Sequence, residues 1–146
     1  MKTLILFYSY SGNTREIANK KAIELNADIE EIFDVKRPNW FNGSWYAMKR
    51  CKTPIKPLNS NLNDYDTIIL MSPIWASSPM SALNSVIDML PSGKEIQVMM
   101  VTGGGNSKDS KDKTIEFIKE KGCEVVSYVD ISAKRKNKVL QIEVLG

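Results

Sequence analysis

Short apolar runs alternate with amphipathic stretches along most of the chain. Aliphatic runs predict buried strands, and apolar positions spaced three and four residues apart predict helices. Strands are predicted around residues 3–8, 29–35, 66–71, 96–101 and 125–131. Helices are predicted over about 14–25, 79–90 and 108–121. Strands that alternate with helices predict an α/β fold with a parallel sheet covered on both faces.

Two stretches of this pattern are less regular. The acidic residues in the second strand place it at an edge of the sheet, and the third helix is predicted to begin with Ser77 or Ser78 as its cap and Pro79 in its first turn. Residues 36–63 are rich in Pro, Asn and Ser, with a short helix predicted over about 44–49. Four aromatic residues there either anchor the segment to the core or wall a pocket: Trp40, Phe41, Trp45 and Tyr46.

A polar turn follows the first strand and leads into the first helix. Its six residues are Ser9, Tyr10, Ser11, Gly12, Asn13 and Thr14. Hydroxyl, carboxamide and backbone N–H groups can converge in such a turn, and the helix N-terminus adds partial positive charge, which suits a phosphate group. The same residue types also suit a simple helix cap. The position after the first strand favours phosphate, because ligands of open α/β sheets bind at this edge.

The composition limits the kinds of catalytic and metal-binding site that the chain can form. The chain of 146 residues suits a single domain over 1–146, and it contains no histidine, which excludes histidine-based acid–base catalysis and histidine metal sites. Its two cysteines, Cys51 and Cys123, match no metal or redox spacing. A net charge of +3 is too small to indicate nucleic-acid binding. No apolar run approaches the ~20 residues of a membrane span, and no signal peptide is recognised. A cytoplasmic protein with no catalytic or metal-binding side chains of its own is expected.

Three turns in register resemble those of the flavodoxin family, over nearly the whole chain. The matching residues are Ser9-x-Ser11-Gly12-Asn13-Thr14, Tyr65-Asp66 before the third strand, Pro73-Ile74-Trp75 after it, and the glycine turn at 102–106. The resemblance implies a doubly wound, five-stranded parallel sheet of order 2-1-3-4-5. It also implies that FMN binds at the carboxyl edge of this sheet.

The resemblance also implies roles for the turn residues. In the first turn, which includes Tyr10, the side chains of Ser9, Ser11, Asn13 and Thr14 would bind the FMN phosphate, and Gly12 would let the backbone approach it. The second turn would border the flavin ring, with Trp75 against it: Pro73, Ile74, Trp75, Ala76 and Ser77. The third would border the ring's polar edge through backbone N–H groups: Thr102, Gly103, Gly104, Gly105 and Asn106. Three glycines also suit a merely flexible turn, and neither Walker spacing nor G-x-G-x-x-G occurs.

Three features depart from the family pattern. Flavodoxins are acidic whereas this chain is net basic, so their mode of docking is in doubt. The turn at 75–78 has no glycine, so the peptide flip that stabilises a flavin semiquinone would be strained. Residues 139–145 predict a strand in place of the family's fifth helix. Part of one sheet face would then be covered by a second copy or another partner. The basic cluster at 134–138 is interpreted as a solvated loop.

Three functions follow from this reading. The leading hypothesis is a small FMN-binding electron-transfer protein that serves other redox proteins. The alternative is an FMN-dependent NAD(P)H oxidoreductase of the quinone or flavin reductase type, because the turn after the fourth strand lacks the aromatic residue that commonly covers the second ring face. The third is an interaction module that keeps the fold without flavin.

Overall fold

The computed structural model describes residues 2–145, and within them the chain forms seven strands and four α-helices. In chain order these are β1 (Thr3–Phe7), α1 (Asn13–Leu25), β2 (Asp28–Glu31), α2 (Trp40–Met48), β3 (Thr67–Trp75), β4 (Ser78–Pro79), α3 (Ser81–Asp88), β5 (Glu95–Thr102), α4 (Lys108–Glu120), β6 (Glu124–Lys136) and β7 (Val139–Val144). A short 3-10 helix, Leu62–Asp64, precedes β3. Among residues 2–145, no helix has the length and apolarity to cross a membrane.

Five parallel strands form the body of the sheet, in the order β2-β1-β3-β5-β6. With the short β4 set aside, this is the predicted order 2-1-3-4-5, so the doubly wound sheet is confirmed. β2 lies at one edge, as its acidic residues predict. The chain winds from β1 to β2 on one side and from β3 onward on the other. The switch point therefore lies between the carboxyl ends of β1 and β3.

Apolar side chains fill both faces of the sheet. On one face, strand residues such as Leu4, Ile68 and Val98 pack against α3 and α4. On the other, Ile5 and Ile69 belong to a cluster that includes residues of α1. Because the central strands are buried on both faces, their sequences read as continuous apolar runs rather than alternating ones.

The carboxyl-terminal segment is a hairpin. β7 runs antiparallel to β6, so the extra strand predicted in place of a fifth helix is confirmed. The basic cluster lies on the end of this hairpin and in its two-residue turn, Asn137-Lys138, and not in an open loop as predicted. Ile142 and Val144 remain 42% and 62% exposed. Their covering by a second copy or a partner stays a prediction.

The start of α3 differs from the prediction. Ser78 and Pro79 are not its cap and first turn; they form β4, which folds back on β3. The helix begins at Ser81, with Met80 as the N-cap residue, and the Met80 N–H donates to Ser72 Oγ at 3.0 Å. The pairing with β3 delays the helix by two residues, which a cap signal read along the chain does not reveal.

Two other boundaries also differ. β2 ends at Glu31 because the chain then leaves the sheet, and Asp34 pairs instead with Ile55 from the irregular segment. α2 begins at Trp40 rather than near residue 44. Asn39 caps it by accepting a hydrogen bond from the Asn42 N–H at 2.8 Å.

Candidate functional site

The three turns singled out in the sequence lie at one edge of the sheet. They follow the carboxyl ends of β1, β3 and β5, which are adjacent and parallel. Phe7 of β1 pairs with Met71 of β3, and Met71 pairs with Met99 of β5, so the strands end in register. Residues 9–14, 73–77 and 102–106 are thereby placed side by side at the switch point.

The β1–α1 turn directs its polar groups toward one point. Ser9 Oγ accepts hydrogen bonds from the N–H groups of Gly12 at 3.1 Å and Arg15 at 3.3 Å. The Ser9 hydroxyl proton therefore remains to be donated to an anion. Gly12, with φ of 102°, is the N-cap residue, and the nearest atom to a Cβ built on it is 3.8 Å away. A free hydroxyl proton at a helix N-terminus fits a phosphate group. Ser11 is exposed and Thr14 is buried at the start of the helix.

The charges around this turn are balanced. Arg15 pairs with Glu31 through two 2.7 Å hydrogen bonds. Arg135 donates to Asn13 Oδ1 at 3.1 Å and to Glu16 at 2.8 Å, and this hydrogen bond lowers the pKa of the Glu16 carboxyl. Because the carboxamide oxygen of Asn13 is engaged, its NH₂ group is the part left for an anion. The sequence did not point to Arg135, which reaches the turn from the C-terminal hairpin.

Tyr10 joins the first turn to the second. Its ring meets the ring of Trp75 edge-on, with centroids 4.6 Å apart, and its hydroxyl donates to the Pro38 carbonyl at 3.1 Å. The Arg37 guanidinium lies 4.0 Å from the Tyr10 ring centroid and donates to the Tyr10 carbonyl. The Tyr10 side chain is thus committed to contacts within the protein.

The second turn is strained. Trp75 pairs with Ser78, and the two residues between them, Ala76 and Ser77, have φ of 51° and 60°. Two consecutive left-handed residues suit a tight hairpin turn, but glycine or asparagine is usual there. Alanine and serine held in this conformation store strain, a feature that clusters at functional sites. Pro73 and Ile74 lie within β3 itself, before the turn.

Trp75 is half-buried, and its indole packs against helix α2. A Cβ built on Gly43 would lie 2.5 Å from Trp75 Cζ3, so the helix backbone approaches the ring directly at this glycine. Tyr10 contacts Trp75 as well. The orientation of Trp75 is therefore set by two neighbours from distant parts of the chain.

The third turn is exposed and held open by its own side chains. Thr102 Oγ1 accepts from the Gly104 N–H at 3.1 Å, and Asn106 Oδ1 accepts from the Lys108 N–H at 3.0 Å. These two predicted groups are thus engaged within the turn. No atom lies within 4 Å of a Cβ built on Gly103 or Gly104. Gly105, with φ of 131°, completes a turn whose backbone is open to a ligand.

A buried carboxylate anchors the end of this turn. Asp130 on β6 accepts from the Ser107 N–H at 3.0 Å and from the Ser107 hydroxyl at 2.5 Å. The Tyr128 hydroxyl lies 2.5 Å from Ser107 Oγ. Sequence reasoning missed this group. The available signal was a single acidic residue inside the apolar run of the fifth predicted strand.

A cavity of about 280 Å³ is lined by residues of α2 and of the start of α3, among them Gly43, which adjoins Trp75. Asp34 also lines it, is half-buried and accepts a hydrogen bond from the Tyr8 hydroxyl. Burial raises the pKa of Asp34 above its ordinary value, although Tyr8 and Arg37 oppose the shift. Burial and the Asp34 contact raise the pKa of Tyr8.

Asp34→Asn is expected to stabilise the protein at neutral pH. A carboxyl with a raised folded-state pKa binds protons more tightly when folded, so the wild-type protein loses stability as pH rises through that pKa. The amide avoids this loss and still accepts from Tyr8. A gain in the free energy of unfolding is expected at pH 7, reduced by solvent screening, with none at pH 3.

Thermal melts between pH 3 and pH 8 test this prediction, with Asp112→Asn as the control at an exposed carboxylate on α4. The gain should grow with pH for Asp34→Asn alone. A gain that is the same at every pH would contradict the role assigned to burial.

Comparison with solved structures identifies the fold. No protein-family model matches the chain, and no curated protein matches it by sequence. A flavoprotein from Lactobacillus acidophilus NCFM, solved in complex with FMN, is 24% identical with a TM-score of 0.76, over 88% of this chain and 92% of that one. Flavodoxin 1 from Bacillus cereus is 23% identical with a TM-score of 0.58, over 94% and 88%. An NADPH-quinone reductase from P. pentosaceus is 17% identical with a TM-score of 0.56, over 89% and 84%.

These similarities extend over most of each chain and agree with the strand order found here. The flavoprotein and the flavodoxin match over 88% and 94% of this chain. At these sequence identities, structural similarity establishes the fold and not the function. The chain therefore has the flavodoxin-like fold.

Proposed function

We propose that this chain is an FMN-binding electron-transfer protein. The observation that carries the proposal is the position of the Ser9 hydroxyl, whose oxygen accepts from the Gly12 and Arg15 N–H groups and whose proton is free, at the N-terminus of α1 and at the switch point of the sheet. The similar flavoprotein from L. acidophilus was solved with FMN. When bound, FMN supplies the redox chemistry, and the protein supplies binding, orientation and electrostatics.

The residues of the three turns have distinct parts in this proposal. The Ser9 hydroxyl, the Asn13 amide and the start of α1, with Ser11 and Thr14, bind the phosphate. Trp75 borders the ring from the second turn. The exposed backbone of 102–106 borders the ring's polar edge, through those N–H groups that the turn itself does not use.

The surface beside these turns suits docking of a redox partner. α2 packs on Trp75 through Gly43 and presents its aromatic residues outward, with Trp40 69%, Phe41 76% and Trp45 53% exposed. Exposed aromatic surface close to a redox site favours contact with another protein. The net charge of +3 favours partners that are acidic.

An FMN-dependent NAD(P)H oxidoreductase is the second candidate, and the cavity near Trp75 favours it. A cavity of about 280 Å³ that also contains Lys36 and Arg37 could hold a small substrate or an anionic group of a nucleotide. The carboxyl that lines this cavity is Asp34, which is half-buried and accepts a hydrogen bond from the buried Tyr8 hydroxyl. An electron carrier has no need of such a cavity.

Titration of the purified protein with FMN tests the proposal directly. Saturable quenching of flavin fluorescence is expected, and its absence at excess FMN would leave the flavin-free interaction module. Steady-state oxidation of NADPH with a quinone then separates the two flavin functions. Turnover by the protein alone supports the oxidoreductase, whereas turnover only with a separate NADPH-dependent reductase supports the carrier.

Arg135→Met is expected to weaken FMN binding about two- to fivefold. The change releases Asn13 and leaves the Glu16 carboxylate unpaired in the first turn of α1, where it repels a phosphate. Solvent screens an exposed pair of this kind, so its contribution to binding is small. The effect should shrink at high salt.

Lys134→Met is the matched control for fluorescence titrations of this variant. It removes the same charge from the neighbouring residue of β6, which is exposed. Equal weakening by the two substitutions would show that Arg135 acts through net charge alone and not through Asn13 and Glu16.

A further inference from the structure

Arg50 lies away from the three turns, just after α2, with its guanidinium held between α3 and α4. Nη2 donates to Thr114 Oγ1 at 2.8 Å and contacts Asn84 Oδ1 at 3.4 Å. Both partners are almost completely buried, at 0% and 3% exposure. The φ of Arg50 is 55°, the left-handed conformation in which many helices end, and Arg50 directly follows Lys49, the C-cap residue of α2. The end of α2 thereby places a cation between α3 and α4.

This cation is incompletely satisfied by the protein. Nε and Nη1 of Arg50 are buried and make no hydrogen bond within residues 2–145. No ion pair joins Arg50 to a carboxylate in that part of the chain, and burial lowers the pKa of its guanidinium. The Phe117 ring, 5.2 Å from the guanidinium carbon, compensates only partly. Buried donors without acceptors are costly, and charged ones especially so.

A cavity of about 310 Å³ opens beside Arg50 between α3 and α4. Ile87 and Phe117 give it an apolar wall, and Asn84 adds a buried amide. Its remaining lining is charged: Lys52, Asp88, Glu120 and Lys121. Both lysines pair with Asp88, at 3.0 and 2.8 Å. Three cations, counting Arg50, against two carboxylates leave the lining with one net positive charge.

We propose that this cavity binds a small organic oxyanion, a carboxylate or a phosphate monoester. Its anionic group accepts a hydrogen bond from one of the two unpaired nitrogens of the Arg50 guanidinium, Nε or Nη1, and its apolar part packs against Ile87 and Phe117. A guanidinium donates charge-assisted hydrogen bonds to carboxylates and to phosphates alike. None of the cavity's residues belongs to the three turns, so the proposal is independent of FMN binding.

A purely structural role for Arg50 is the competing explanation. In that role the guanidinium locks the end of α2 to α3 and α4 through Nη2. The hydrogen bonds of Nη2 are sufficient for this structural role. They do not explain why two further donors, Nε and Nη1, are buried without partners or why a cavity lies beside them. Binding of an anion distinguishes the two roles.

The test uses the full-length protein, labelled with ¹⁵N, and two probes at constant ionic strength. Benzoate and inorganic phosphate are titrated separately, with chloride as the reference, while the Arg50 Nε–H resonance is followed by NMR. A saturable shift with benzoate alone assigns a carboxylate site, and one with phosphate alone assigns a phosphate site. No saturable shift with either probe would overturn the proposal.

Arg50→Gly removes the guanidinium and suits the left-handed backbone at this position. Benzoate or phosphate binding, followed through the Thr114 amide resonance, should weaken at least about tenfold. Lys134→Met, which loses the same charge elsewhere, should leave it unchanged. If Arg50→Gly is unfolded, Asn84→Asp replaces it, because a carboxylate at this position competes with the probe for Arg50. Undiminished binding in the folded variant would assign Arg50 a structural role only.

Discussion

Gly12→Ala is expected to weaken FMN binding at least about tenfold. Gly12 has φ of 102° at the N-terminus of α1, a conformation that disfavours a residue with a Cβ by roughly 1–2 kcal/mol. Relief of this strain would disturb the hydrogen bond from the Gly12 N–H to Ser9 Oγ, and the Ser9 hydroxyl would then lose its position at the start of α1. A loss of about 1.4 kcal/mol in binding corresponds to a factor of ten.

Gly93→Ala provides a matched control. Gly93 also has positive φ, 83°, and no atom lies within 4 Å of a Cβ built on it, but it precedes β5 at the opposite edge of the sheet. Both variants should lose thermal stability, whereas only Gly12→Ala should change the FMN dissociation constant in a fluorescence titration. Equal FMN affinity in the two variants would exclude the first turn as the phosphate site.

Gly43→Ala is expected to destabilise the protein by about 1–3 kcal/mol, the usual cost of overpacking. In a helix interior this substitution is normally stabilising by up to about 1 kcal/mol. Here the added Cβ would lie 2.5 Å from Trp75 Cζ3 and 2.9 Å from Cε3. Trp75 cannot simply swing away, because Tyr10 contacts it edge-on. Urea unfolding measures the sign of the effect.

A second substitution identifies the cause. In a protein that carries Trp75→Leu, the clash with the indole is removed, so Gly43→Ala should become neutral or stabilising. The difference between the effects of Gly43→Ala in the two backgrounds is the coupling free energy between the two sites. Ser44→Ala, the neighbouring position of α2, serves as the control for helix propensity. A stabilising Gly43→Ala in the wild-type background would mean that α2 does not depend on close approach to Trp75.

Strands and turns could be predicted where the local pattern of apolar and polar residues indicates which side chains are buried. The central strands can be predicted because burial on both faces requires continuous apolar runs such as 68–71. The extra strand β7 was found because its residues are β-branched and partly alternating. The first turn was found because hydroxyls, glycine and asparagine between a strand and a helix point to phosphate.

Contacts between distant residues could not be predicted in this way. The hairpin turn at Ala76-Ser77 contradicts local propensity, and the pairing of β4 with β3 holds it in place. The early start of α2 was hidden by a glycine in its middle and by aromatic residues that face solvent. No local rule indicates that Arg135 reaches Asn13 or that Asp130 holds Ser107.

The sequence by itself determined the strands, the parallel sheet and the identity of the three turns, because these follow from local apolar periodicity and from the preferences of glycine, proline and hydroxyl residues. The strand order was implied by the resemblance of the turns to those of the flavodoxin family. Only the tertiary structure decided which side chains complete the site and which cations are paired. Those contacts join residues far apart along the chain, and they form only after the sheet has brought its strand ends together.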